Sequence, residues 1–81
     1  MAAANPLFEN VPGAPVEIGQ QVTVRRVIDE QGDASFVGKM GFVVALEYAC
    51  GCGQVFPESP MIIVQFDGGA TEEFWHAELT R

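Results

Sequence analysis

Gly38-Lys39-Met40-Gly41-Phe42-Val43-Val44 and, downstream, Val64-Gln65-Phe66-Asp67-Gly68-Gly69 decide how this chain folds. Each joins a glycine turn to a run of β-branched or aromatic residues, the composition that suits a pleated, half-buried surface. In the second stretch, Asp67-Gly68-Gly69 offers glycines for the positive φ that a tight hairpin turn requires. The first stretch lacks the Gly-x-x-x-x-Gly-Lys-Ser/Thr spacing of a phosphate loop and runs into a strand, not a helix. It reads as the turn that lets a strand begin.

Further strands extend outward from these two turns. Upstream, Gln20 to Ile28 alternates Val22 and Val24 with Gln21, Thr23 and Arg25, the period of two that marks a half-buried strand. Arg25-Arg26 and Val27-Ile28 interrupt it, which signals a bulge or the strand's end. Asp29 to Ser35 is a polar loop with a glycine turn. Gly41 to Ala49 predicts the second strand, with Phe42, Val44, Leu46 and Tyr48 on one face and Val43, Ala45 and Glu47 on the other. A loop from Cys50 to Pro60 leads to a third strand over Met61 to Phe66, whose inward set is Ile62, Val64 and Phe66. Ala70 to Trp75 returns as the fourth. His76-Ala77-Glu78-Leu79 is too short for an α-helix and fits one 3₁₀ turn. Thr80 and Arg81 make a stub of a fifth strand.

The length of 81 residues predicts a single domain. Residues 1–15 hold Pro6, Pro12 and Pro15 with small residues and no periodicity, so they are expected to form a flexible N-terminal arm. Leu7 and Phe8 have the means to pack onto the strands of the folded unit expected over residues 16–81.

Eleven acidic against four basic residues give a net charge of −7. Binding to DNA or RNA runs on Lys and Arg neutralising phosphates. Arg25, Arg26, Lys39 and Arg81 are too few for a phosphate track, so no nucleic-acid partner is expected. The acidity suits solubility, or docking on a basic face of another protein. The first residues carry no basic start and no long apolar run, and nothing approaches the roughly 20 apolar residues of a membrane span. The expectation is a cytoplasmic protein without a membrane partner, a monomer or weak homodimer, in a compartment that keeps paired thiols reduced unless they are catalytic or metal-bound.

Five short strands with one 3₁₀ turn before the last describe an all-β, five-stranded SH3-like barrel. The pattern Gly19-x-x-Val22-x-Val24, Gly38-Lys39-x-Gly41-x-Val43, Val64-x-Phe66-Asp67-Gly68 and Glu78-Leu79 resembles the SH3-like and KOW-like barrels over residues 19–81. It is similar to those of small accessory subunits: the ferredoxin–thioredoxin reductase variable chain, the nitrile hydratase β-chain barrel and small nitrogen-fixation accessory proteins. The resemblance implies a barrel that supports a neighbouring redox or metal protein without itself catalysing. A KOW-type nucleic-acid binder is the alternative within the same likeness, and the shortage of bases argues against it.

One loop carries pointed chemistry: Cys50-Gly51-Cys52-Gly53-Gln54. Its glycines let the backbone curl until both sulfurs face one point. Thiolates suit zinc, copper(I) and iron–sulfur centres. A closed zinc site needs four ligands and this loop offers two. His76, Met61 or a second protomer would complete the shell of a zinc or iron–sulfur site, which makes a metal or cluster carrier built on Cys50, Cys52 and His76 one alternative. Dithiol–disulfide redox is a second. A Cys-x-Cys ring is small and strained, but no base stands nearby to lower a thiol's pKa and Glu47 and Glu58 flank the loop. Recognition by a shaped surface is a third, and two incidental loop cysteines are the plain alternative to all of them. His76 alone, after Trp75, reads as a surface residue on the turn.

The aromatic set Phe42, Tyr48, Phe56, Phe66, Phe74 and Trp75 reads as mostly core. Phe74 and Trp75 are consecutive on a strand and so point to opposite sides. Phe56, with Met61 or Ile63 on the outward side of the third strand, adds apolar area that would mark an interaction patch if clustered. No serine or acid stands in a context that suggests a triad. The reading is a small non-enzymatic accessory or protein-binding module, with Cys50, Gly51, Cys52, Gly53, Gln54, Phe56 and Trp75 as its contact residues.

Overall fold

The computed structural model describes residues 7–28, 34–48 and 57–80. The described residues contain five strands: β1 (Gln21–Val24), β2 (Met40–Glu47), β3 (Met61–Gln65), β4 (Thr71–Phe74) and β5 (Leu79–Thr80). All pair antiparallel in one sheet of order β4-β3-β2-β1-β5. The all-β prediction and its five strands stand. The 3₁₀ turn expected before the last strand spans His76–Glu78, and a second, Ala34–Phe36, lies where the sequence suggested only loop.

The two glycine stretches do what their composition requires. Gly41 sits opposite Val22 on β1. A Cβ there would lie 2.6 Å from both the Gln65 carbonyl oxygen and Val64 Cγ1, so only glycine admits this approach. At the β3–β4 turn, Phe66 N–H donates to the Ala70 carbonyl at 2.8 Å and Gly69 N–H to the Phe66 carbonyl at 3.0 Å. Gly68 and Gly69 hold φ of 91° and 90°, a region that side chains disfavour.

Strand β2 departs from simple alternation. Val43 pairs with Val64, but the next partners are Ala45 and Ile63, so Val44 is an extra residue in a β-bulge. The bulge reverses which parity faces inward. Before it Gly41 and Val43 are buried; after it Leu46 is buried, with Ala45 also sealed. Phe42, expected on the same face as Leu46, is therefore turned outward and 53% exposed, which corrects its assignment to the core.

The core gathers Val22, Val24, Val43, Leu46, Ile62, Val64, Phe66, Phe74 and Leu79 under the inner face of the sheet, with Val16 from the segment before β1. Leu46 and Ile62 are fully buried, each a contribution of about 1.5–3 kcal/mol by area transferred from water. Phe36, on the first 3₁₀ turn, closes one end. Its ring lies 4.9 Å from that of Phe66 and 6.1 Å from that of Phe74, with Lys39 Nζ 5.4 Å above it. Ile62, Val64 and Phe66 are the inward set that the sequence indicated.

Two connections tie distant segments to this sheet. Leu7 forms a bridge with Leu46: its N–H donates to the Leu46 carbonyl at 2.7 Å and its carbonyl accepts from Leu46 N–H at 2.9 Å. β1 pairs with the first half of β2 only, and Leu7 takes the edge that β1 leaves. Glu78 is the second tie. Its carboxylate is buried, accepting Trp75 N–H at 2.7 Å and Ile28 N–H at 2.8 Å. Its own carbonyl accepts Arg25 N–H at 2.8 Å, so one residue fixes the chain leaving β1 against the turn before β5.

Candidate functional site

The outer face of the sheet is built by the residues that alternate with the core set. Met40 lies opposite Thr23, and Phe42 sits between Gln21 on β1 and Gln65 on β3. Ile63 lies opposite Glu73 on β4, and Met61 opposite Glu47 on β2. Met40 is 60% exposed, while Met61 and Ile63 are half-buried. A strip of methionine, phenylalanine and isoleucine thus crosses β2 and β3, with Gln21 and Thr23 beyond it on β1 and the carboxylates of Glu47 and Glu73 at its other end. An exposed aromatic on a central strand is an unusual use of apolar area, and such clustering marks contact surfaces.

The carboxylates set the electrostatics. Glu73 is held above the ordinary carboxylate value, first by partial burial, then by the like charges of Glu47 and Glu72. Glu72 faces the other side of β4 and bends back, its Oε1 accepting Glu73 N–H at 3.3 Å. Glu73 thus sits at a corner of the sheet where the charges of Glu47 and Glu72 both act on it. Burial alone raises the Tyr48 hydroxyl, which donates to the Pro57 carbonyl at 2.8 Å. That bond joins the end of β2 to the start of the segment leading into β3.

The contact residues expected from sequence fall in different places. Cys50, Gly51, Cys52, Gly53, Gln54 and Phe56 lie outside the described residues. Trp75 is half-buried directly after β4, at the N-cap of the 3₁₀ turn, with Phe74 in the core. His76 is exposed at the start of its turn. Among the described residues no three His, Cys, Asp or Glu side chains gather where they could hold a metal.

Among the described residues, two depressions lie around the segment that leads into β1. An open hollow of about 520 Å³ is lined by Ala14, Pro15, Val16, Glu17, Gln20 and Gln21. Glu17 is the one ionisable residue in that lining. A recess of about 20 Å³ lies between Val16, His76 and Thr80, too small for a substrate. Among the described residues no helix is long and apolar enough to cross a membrane.

Met40 and Phe42 are the residues of this face that sequence reading missed. The available signal was the run Val43-Val44-Ala45-Leu46, four apolar residues in a row where strict alternation allows no such run. Glu78 was visible only as part of a pattern; its buried carboxylate was not.

No curated protein and no solved structure matches the chain. The family described as the CarS bacterial SH3 domain matches residues 3–81. That match carries the SH3 part of the sequence likeness, and the five-stranded antiparallel sheet with a 3₁₀ turn before its last strand agrees with it. The chain belongs to the family of the CarS bacterial SH3 domain.

Proposed function

We propose that this chain is a non-catalytic module that binds another protein through the outer face of β2, β3 and β4. SH3-type domains commonly mediate protein binding, and this chain belongs to such a family. The observation that carries the reading is the exposed pair Met40 and Phe42 on the same outer face as Met61 and Ile63, whose cross-strand partners Glu47 and Glu73 form its acidic corner. Apolar contacts of this kind supply affinity, while the surrounding charges set orientation and exclude wrong partners. The net charge of −7 favours a partner with a basic face.

The test is capture from a host extract by immobilised protein, compared with Phe42→Ser and, as a control on another exposed apolar residue, Val37→Ser. A protein retained by the wild type and the Val37 variant but lost with Phe42→Ser supports this face. Identical capture by all three overturns it. Thermal melts of the variants separate lost contact from lost fold.

The Cys50–Gln54 loop adds a finer reading, in which the partner is a redox or metalloprotein, or the loop itself carries zinc or an iron–sulfur cluster. The sequence Cys-Gly-Cys supports it. Metal analysis of protein purified without oxygen, beside a Cys50→Ser/Cys52→Ser variant, decides the matter: metal present and then lost supports a site, and metal-free wild type rejects one.

A further inference from the structure

Strand β4 ends the sheet, and among the described residues it pairs only with β3. In an antiparallel ladder, successive residues bond alternately to the neighbour and away from it. The hairpin fixes that phase. Phe66 N–H bonds the Ala70 carbonyl, so the pairs two and four residues on, Val64 with Glu72 and Ile62 with Phe74, face each other across the ladder. Thr71 and Glu73 then turn their N–H and C=O groups to the open side. Glu73 confirms the phase, since its N–H goes to the Glu72 carboxylate at a long 3.3 Å and not to β3.

An open edge invites pairing with any extended chain, and charged side chains on it deter most candidates. Here the guards on the strand, Glu72 and Glu73, are both acidic, and Glu47 stands close enough to act on Glu73. They repel a second copy of this chain, whose net charge is also −7. They repel a cationic strand not at all. On the outer face, a residue added beside Glu73 would lie at cross-strand distance from it, roughly 5 Å between Cβ atoms, where opposite charges attract.

We propose that the free edge of β4 receives an extended segment of a partner protein as a sixth strand, with Lys or Arg at alternate positions beside Glu73. This rests on the outer face being the protein-binding surface and states how the partner enters it. Main-chain bonds to Thr71 and Glu73 supply the affinity, and the basic side chains fix which segment is taken. Apolar residues flanking the segment would continue across the face toward Ile63 and Phe42.

The test uses the full chain and synthetic ten-residue peptides. One alternates Lys with Val; one replaces Lys with Glu; one is the Lys peptide N-methylated at alternate residues, which removes the strand-pairing donors. Binding is followed by anisotropy, and amide hydrogen exchange is read residue by residue. The expected result is saturable binding of the Lys peptide with slowed exchange at Thr71 and Glu73. The Glu and N-methylated peptides bind at least about tenfold more weakly, the scale of a lost charge pair or backbone bond. Glu73→Lys reverses the preference toward the Glu peptide, and its melting curve confirms the fold. Equal binding of the N-methylated peptide, protection elsewhere in the sheet, or no saturable binding overturns strand addition. Loss of extract capture with Phe42→Ser would still stand in those cases, so the two readings fail separately.

Discussion

At the scale of single residues, two glutamates show opposite uses of one side chain. Glu78 is buried because both carboxylate oxygens replace water with backbone N–H donors, from Trp75 and from Ile28. Glu78→Ala leaves two partly buried donors without this acceptor and should cost about 2 kcal/mol, the low end of roughly 1–3 kcal/mol for each orphaned group. Urea unfolding checks this, and a loss within about 0.5 kcal/mol, the range of ordinary surface changes, would refute the tie. Sequence alone does not reveal it, since Ile28 stands fifty positions away from its acceptor. Glu73 is the contrary case. Partial burial and the charges of Glu47 and Glu72 raise its pKa in the folded state. The folded protein therefore holds that proton more tightly than the unfolded chain, and stability falls as pH rises from the ordinary carboxylate value through the raised one. Above both values the full cost is present; below both it vanishes. Glu73→Gln should accordingly raise the melting temperature at pH 7 and leave it unchanged at about pH 3, below the ordinary carboxylate range. Added salt should shrink the difference, because the group is largely exposed. A variant no more stable than wild type at neutral pH and low salt would contradict this account.

At the scale of elements, the strands and turns marked by glycine were legible because their determinants are local. Asp67-Gly68-Gly69 encodes a hairpin within a few residues, and Ile62, Val64 and Phe66 keep strict alternation beside it. β2 is where local reading ran out. Its bulge at Val44 is set by how β2 meets β3, not by any residue that forbids regular pairing. Uninterrupted alternation puts Phe42 and Leu46 on the same face; the bulge sends one outward and seals the other. The two positions should thus respond very differently to truncation. Leu46→Ala should cost about 2–5 kcal/mol, as for a leucine removed from a packed core. Phe42→Ser should stay within about 0.5 kcal/mol, as for a surface change. Paired denaturation curves distinguish the structures: comparable losses at both positions would place Phe42 in the core and erase the apolar strip on which the binding face depends.

At the scale of the whole molecule, the core resides between the inner face of one curled sheet and the segments laid over it from outside the strands. Val16 and the half-buried Val11 and Ala14 belong to that cover, although prolines and small residues give their segment no periodicity to read. Leu7 contributes in another way. Leu46 is fully buried, so water does not reach its main-chain groups, and β1 pairs only with the other half of β2. The two bonds with Leu7, at 2.7 and 2.9 Å, are what satisfy Leu46. Leu7→Pro deletes the donor of one of them and leaves the Leu46 carbonyl without a partner, a loss of about 1–3 kcal/mol for a buried acceptor. Leu7→Ala keeps the donor and removes only a partly exposed side chain, so it should cost distinctly less. The gap between these two variants isolates the main-chain bond from the side-chain contact, and amide exchange at Leu46 should quicken in the proline variant alone. Equal stability of both variants would mean that the main-chain bridge carries no share of the fold.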